Sequence, residues 1–120
     1  MNDMGLVVTQ GTSMQPTLYA LDILHVAQRS IQVGDVVVFR EGSQRVAHRI
    51  IARLPWPLHH LGLQRGDAQF LGKWMDLRRI EGVVVEPDIH ENIPKLAQLT
   101  EIVCHIVWRT TAYLYRFFRQ

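Results

Sequence analysis

Residues 33–51, VGDVVVFREGSQRVAHRII, decide the fold because they have the pattern of two β-strands joined by a short turn. Val and Ile are frequent in both halves, and β-branched side chains favour an extended backbone. The Glu-Gly-Ser triplet at 41–43 interrupts the apolar residues, and the Gly-Asp pair at 34–35 precedes them. Glycine, serine and aspartate favour turns at such places. The stretch therefore predicts a β-hairpin that is entered through a turn.

Similar apolar runs flank this hairpin. LVVT (6–9) and DILHVA (22–27) precede it, and IEGVVVE (80–86) follows it. Each run is short, rich in Val and Ile and bounded by turn-forming residues, so each predicts a further strand. Residues 54–64, LPWPLHHLGLQ, are expected to form a loop because they contain two prolines, which cannot donate backbone hydrogen bonds to a sheet. We therefore expect a mainly β domain over residues 1–94.

The segment after Pro94 has apolar residues every three or four positions, which predicts a long amphipathic helix over residues 95–118. We expect residues 95–120 to belong to the same unit as the β domain. Charged residues within the helix, such as Glu101 and Arg109, cost about 2.5–3.5 kcal/mol each in a bilayer, so we do not expect the helix to span a membrane. It is expected to pack on the β domain or in a homodimer, or to make a peripheral membrane contact through its aromatic residues.

The composition is that of one globular domain with mild basicity. The chain has 120 residues, of which 48% are hydrophobic, and a formal net charge of +2, which does not indicate a nucleic-acid partner. The single cysteine, Cys104, excludes an internal disulfide, and no spacing of Cys and His predicts a metal site or another cofactor. Residues 1–10 have neither a basic segment nor a long apolar run, so we expect no signal peptide or membrane anchor and a cytoplasmic location.

Ser13 is the first candidate for chemistry, in the stretch GTSMQPTL at 11–18. A serine hydroxyl is a weak nucleophile at neutral pH, so hydrolysis requires a base within hydrogen-bond reach and a turn that presents the oxygen. Gly11 permits a close approach of a substrate to the backbone, Pro16 stiffens the segment, and Met14 is expected to anchor it in the core. Taken alone, the pattern is also that of an ordinary turn.

GTSMQPTL resembles the serine motif of type I signal peptidases and of the related repressor proteases, which share a β fold. Further segments follow in the order that this family implies, namely GDVVVFR (34–40), VAHRI (46–50), RGDA (65–68) and IEGVVV (80–85). The resemblance covers residues 7–85. It implies a β fold of the signal peptidase/repressor-protease type, to which this chain adds a C-terminal helix.

The resemblance implies that Ser13 is the nucleophile and His48 the general base. Most bacterial members carry a lysine as the base, whereas this chain has His48 followed by Arg49 and so resembles the Ser-His branch. An imidazole with an ordinary pKa of about 6.5 accepts a proton at pH 7 without the large pKa shift that a lysine needs. The backbone N–H of Ser13 is expected to bind the oxyanion, with Gly11 and Met14 beside it in the substrate-binding region.

A carboxylate that orients the histidine would complete the site. Asp67, in RGDA, is the first candidate and Asp76 the alternative, because Lys73 stands where relatives often have a second aspartate. Asp67 could equally be a turn residue. A second departure from the family is Leu21, which stands where a glycine usually forms a turn with the following aspartate.

These features favour a small serine endopeptidase that cleaves a peptide or a leader-bearing precursor through a Ser-His-Asp site, with no cofactor. The substrate is expected to bind as an extended strand. The resemblance also implies a shallow apolar pocket that selects small side chains. The alternative is a non-catalytic peptide-binding or regulatory module that retains the fold, and Lys73 favours this alternative. Self-cleavage is less favoured because the repressor proteases pair their serine with a lysine.

Overall fold

The computed structural model of the chain describes residues 2–9 and 11–119. These residues form one antiparallel sheet followed by one long helix, which confirms the mainly β class with a C-terminal helix. The elements are β1 (Asn2–Val8), β2 (Ile23–Gln28), β3 (Val36–Glu41), β4 (Gln44–Arg53), β5 (Leu61–Arg65), β6 (Lys73–Asp76), β7 (Gly82–Glu86) and α1 (Lys95–Arg119). The strand order across the sheet is β1-β2-β7-β3-β4-β5-β6.

β3 and β4 form the hairpin that residues 33–51 predict. Glu41 pairs with Gln44, so Gly42 and Ser43 make a two-residue turn. Gly42 has a φ of +64°, a left-handed conformation that such turns require and that a side chain disfavours. The three valines and Phe39 of β3 are buried, since β3 lies in the interior of the sheet between β7 and β4.

β5 and β6 are elements that the sequence pattern did not reveal. β5 begins at Leu61, so the prediction of a loop over residues 54–64 is wrong for residues 61–64. Leu63, at the centre of β5, is 1% exposed and packs with aliphatic residues of β4. Both prolines of the expected loop precede the strand, so they do not interrupt its pairing with β4 and β6.

The core consists of buried aliphatic side chains from the inner strands and from the segment before β2. One cluster joins Met14 and Leu18 to aliphatic residues of β2, β3 and β7. A second cluster packs Phe39 and Ile50 against Leu77. Burial of a side chain of this size stabilises a fold by about 1.5–3 kcal/mol. The segment that carries Ser13 is therefore fixed to the sheet by its own apolar residues.

α1 begins at Lys95 and confirms the helix predicted over residues 95–118. His105 is buried and fastens the helix to the loop before β6 and to β6 itself. Trp74 donates from Nε1 to Nδ1 of His105 at 2.8 Å, and Nε2 of His105 donates to the carbonyl oxygen of Gly72 at 3.2 Å. Within the described part of the chain, no helix has both the length and the hydropathy needed to cross a membrane.

Candidate active site

The segment that carries Ser13 connects β1 to β2 as a series of turns. Leu18 donates its backbone N–H to the carbonyl oxygen of Met14 at 2.9 Å, and both side chains are buried. Met14 therefore anchors the segment in the core, as the sequence predicts. Ser13 itself is only partly buried. The buried neighbours of Ser13 fix its position, and the residue itself stays partly accessible to solvent.

Ser13 and His48 meet in the structure, although 35 positions separate them in the chain. Oγ of Ser13 lies 3.0 Å from Nε2 of His48. His48 lies in the middle of β4 and is 6% exposed. This separation is the hydrogen-bond distance that a nucleophile and its general base require. The two residues that the resemblance proposes for these roles are therefore in contact.

The second ring nitrogen of His48 contacts Gln64, which the sequence did not single out. Oε1 of Gln64 lies 2.5 Å from Nδ1 of His48, and Gln64 is 5% exposed. Gln64 pairs across strands with Ile50, two residues from His48, so the two side chains share one face of the sheet. With the amide oxygen facing it, Nδ1 carries the ring proton, and Nε2 accepts the hydrogen bond from the hydroxyl of Ser13.

Burial lowers the pKa of His48 below its ordinary value of 6.5. The hydrogen bond with Gln64 and the negative charges of Glu41 and Asp67 act in the opposite direction but do not outweigh burial. The ring of Phe39 contributes to these apolar surroundings through an edge contact with the imidazole, with ring centroids 5.9 Å apart. His48 is therefore neutral at pH 7, which is the form that a general base needs.

Asp67 does not make the expected contact with His48, because Arg49 engages its carboxylate. Nε and Nη2 of Arg49 donate to the two oxygens of Asp67 at 3.0 and 2.9 Å, and Thr17 donates from Oγ1 to Oδ2 at 2.5 Å. Burial acts to raise the pKa of Asp67, but the hydrogen bonds from Arg49 and Thr17 outweigh it and hold the pKa below 3.8. The structure thus corrects the expected role of Asp67 from orienting His48 to bracing the segment that carries Ser13.

Asp76, the alternative acid, also lies away from the imidazole. Its carboxylate accepts hydrogen bonds from the backbone and the guanidinium of Arg78 and caps the short 3₁₀ turn after β6. These bonds lower the pKa of Asp76 to about 2. Lys73, where the resemblance implies an aspartate, pairs across strands with Gln64, and its ammonium group lies 3.9 Å from a carboxylate oxygen of Glu41. No carboxylate thus occupies the orienting position among the described residues.

The loop after β5 supports Ser13 through its backbone. Ala68 donates its N–H to the carbonyl oxygen of Ser13 at 2.7 Å, and Asp67 donates its N–H to the sulfur of Met14 at 3.3 Å. A Cβ atom on Gly66 would lie 2.4 Å from the carbonyl oxygen of Ser13. The close approach of the two segments therefore requires glycine at this position.

An open cleft of about 640 Å³ lies beside the Ser13–His48 pair. Residues 7–9, at the end of β1, line one part of it, and residues 44–48 of β4 line another. The pairing of β4 with β5 begins at Arg49, so residues 44–48 extend beyond that ladder along the cleft. Gly11 and Met14 also line the cleft. A peptide in this space would reach the serine and the histidine together.

Within residues 2–9 and 11–119, no group of three His, Cys, Asp or Glu side chains is placed to hold a metal ion. Comparisons of the chain with protein-family models, with curated proteins and with solved structures find no match.

Proposed function

We propose that this chain is a serine endopeptidase of the signal peptidase-like type. Ser13 is the nucleophile, His48 is the general base, and Gln64 orients His48. The observation that most supports this proposal is the 3.0 Å separation between Oγ of Ser13 and Nε2 of His48 beside an open cleft. A concave site with a few convergent polar groups and a histidine of shifted pKa is typical of catalytic pockets.

In the proposed reaction, Oγ of Ser13 attacks the scissile carbonyl carbon while Nε2 of His48 takes its proton. The same nitrogen then gives the proton to the leaving amine, the C–N bond breaks, and an acyl ester remains on Ser13. A water molecule then attacks the ester while His48 takes its proton, the bond between the acyl carbon and Oγ breaks, and His48 returns the proton to Oγ of Ser13. Gln64 holds the imidazole and its tautomer through these steps. As a neutral amide it gives the imidazolium no opposite charge, so we expect slow turnover.

The proposed substrate is an extended peptide that lies between residues 7–9 and residues 44–48. Both stretches are parts of β-strands or continue them, and both line the cleft. Such strands offer backbone groups to an added chain, which is a common mode of peptide recognition. The preference for small side chains near the cleaved bond, which the resemblance implies, and the cytoplasmic location belong to the same proposal.

The test is cleavage of a fluorogenic peptide library by the wild type and by Ser13→Ala and His48→Ala. We expect each of these variants to lose at least about 10³-fold in kcat/KM. Ser43→Ala is the matched control, because Ser43 lies in the β3–β4 turn and does not line the cleft. Cleavage that persists in Ser13→Ala would refute the proposal. A fluorophosphonate probe, applied to the same proteins, reports whether any adduct depends on Ser13.

A peptide-binding module without catalysis is the second candidate, and the neutral amide of Gln64 at Nδ1 favours it. Without a carboxylate there, the transition-state imidazolium is weakly stabilised. This candidate predicts that library peptides bind with equal affinity to the wild type and to Ser13→Ala and are recovered intact from both. Mass spectrometry of the bound peptides separates the two candidates.

A further inference from the structure

α1 turns an apolar face away from the β domain. The face that includes Glu101, Ile102 and His105 contacts the domain, since Glu101 lies 3.4 Å from Arg65, Ile102 packs on the core and His105 is buried. Residues of the opposite face are 47–75% exposed and recur at three- and four-residue spacing. They are Leu96, Leu99, Val103, Ile106, Leu114 and Phe117. We call this set the outer face.

The charge of α1 is concentrated on the side away from the outer face. After Glu101 the helix contains Arg109, Arg116 and Arg119 and no acidic residue. At 3.6 residues per turn, the three arginines fall on the side of His105. Tyr113 and Phe118, which are 69% and 77% exposed, fall between the two sides. An apolar face, a cationic face and aromatic residues at their boundary are typical of helices that lie in the interface of a membrane.

We propose that α1 lies in the surface of a bilayer that contains anionic lipid, with the outer face toward the acyl chains and the arginines toward the headgroups. The charge of the helix is what selects this occupant. A second copy of the chain would also cover the outer face, but it would bring no opposite charge to the arginines, which lie on the side of His105. An anionic headgroup layer attracts that charge instead. The inference stands independently of the proposed peptidase activity.

The test is flotation of the full chain with vesicles of two compositions. One set contains phosphatidylcholine alone, and in the other a third of the lipid is phosphatidylglycerol. We expect at least about 10-fold stronger partitioning onto the phosphatidylglycerol vesicles at low salt, because each basic residue near an anionic surface strengthens binding several-fold. Raising the ionic strength to about 1 M, where charges are screened within roughly 3 Å, should remove most of this preference.

Two matched pairs of variants assign the effect to α1. Phe117→Ser should weaken partitioning onto both kinds of vesicle, whereas Phe70→Ser, at a residue that is 90% exposed in the loop before β6, should not. The double variant Arg116→Gln and Arg119→Gln should lose the preference for phosphatidylglycerol, whereas Arg78→Gln with Arg79→Gln should keep it. All these residues are exposed, so we expect each variant to fold.

Three outcomes would overturn the proposal. They are failure to float with phosphatidylglycerol vesicles, equal flotation with both lipid compositions, and a concentration-dependent dimer that Phe117→Ser dissociates. The last outcome, measured by sedimentation equilibrium without lipid, would assign the outer face to a second copy of the chain.

Discussion

At His48 a neutral amide takes the place that a carboxylate occupies in serine–histidine–acid sites. Gln64 fixes the imidazole and its tautomer, as a carboxylate would, but leaves the positive charge of the imidazolium uncompensated. Burial disfavours the same charge and lowers the pKa of His48. In the proposed reaction, His48 would therefore be in the form that accepts a proton from mildly acidic pH upward, while the imidazolium that follows proton transfer would be costly.

Replacing the amide by a carboxylate should change the pH profile of cleavage. Cleavage by the wild type should rise with pH through a midpoint below 6.5, as the lowered pKa of His48 dictates, and should be flat above it. Gln64→Glu should raise the pKa of His48, move this midpoint to higher pH and increase the plateau of kcat/KM by about 10-fold. Gln28→Glu, at an exposed position at the end of β2, is the control. A midpoint that stays in place would contradict the assigned role of Gln64.

Leu21 occupies a conformation that suits glycine. Its φ is +73°, and its backbone N–H donates to the carbonyl oxygen of Thr9 at 2.9 Å. The side chain is 78% exposed, so its removal sacrifices little burial. We expect Leu21→Gly to increase the free energy of unfolding by about 1 kcal/mol, because a left-handed conformation strains a residue with a Cβ atom by roughly 1–2 kcal/mol.

Urea unfolding of Leu21→Gly against the wild type measures this strain. Leu58→Gly is the control, since Leu58 lies in another turn, is 49% exposed and has no positive φ. We expect that change to leave stability unchanged or to lower it. A lower stability for Leu21→Gly would mean that the exposed leucine makes a contribution larger than the strain.

At the scale of elements, the loop after β5 joins β4, which carries His48, to the segment that carries Ser13. Arg49, which is 3% exposed, donates to the carbonyl oxygens of Gly34 and Ile89 and to the carboxylate of Asp67. Thr17 donates to the same carboxylate from the segment that carries Ser13. One buried guanidinium thus connects β4 to the loop that holds Ser13 in place.

The variant Asp67→Asn tests whether Asp67 braces the segment that carries Ser13 or orients His48. The buried Arg49 would lose the carboxylate that its Nε and Nη2 contact and would keep the exposed Glu91, 3.8 Å away, so we expect the free energy of unfolding at pH 7 to fall by about 2–4 kcal/mol. The midpoint of the cleavage profile should move less than in Gln64→Glu, because Asp67 does not touch the imidazole. Asp88→Asn, at an exposed position after β7, is the control. A large shift of the midpoint in Asp67→Asn would restore Asp67 as the orienting acid.

The free energies of unfolding of the wild type and of Asp67→Asn should also depend differently on pH. The pKa of Asp67 is lowered in the folded state, so its stabilisation is present above pH 3.8 and is lost as the pH falls through the folded value. Asp67→Asn should therefore lose less stability than the wild type between pH 5 and pH 3. Urea unfolding at both pH values measures the difference.

The strands with strong apolar runs, the β3–β4 hairpin and the helix were predictable from the sequence because their periodicity is strong. β5 and β6 were not, because they are short and the prolines before β5 obscured its start. Gln64 could not be assigned because its contact with His48 depends on the register between β4 and β5, which no local pattern contains. The contact between Asp67 and Arg49 could not be predicted for a related reason, since nothing in the sequence shows that Arg49 points toward this carboxylate.

At the scale of the whole molecule, α1 depends on one buried residue for much of its attachment. We expect His105→Ala, which removes the hydrogen bonds with Trp74 and Gly72, to speed amide hydrogen exchange in α1 by about 30-fold, because the two lost bonds together weaken local stability by roughly 2 kcal/mol. Exchange in β3 and β4 and the rate of cleavage should stay unchanged. His59→Ala, at an exposed position, is the control. Equal protection of α1 in both variants would contradict this role of His105.

The two strand regions that line the cleft lie far apart in the sheet, with β2, β7 and β3 between β1 and β4. They approach each other only because the sheet curls, and β-bulges in the pairings of β1 with β2 and of β2 with β7 contribute to this curvature. A peptide bound to both regions would connect β1 to β4 across the cleft. Saturating peptide at about 100 times its Kd should then stabilise the uncleaving Ser13→Ala protein by about 2.7 kcal/mol, seen as a higher melting temperature. Cleavage would break the peptide that connects the two strands, so each turnover would remove this stabilisation.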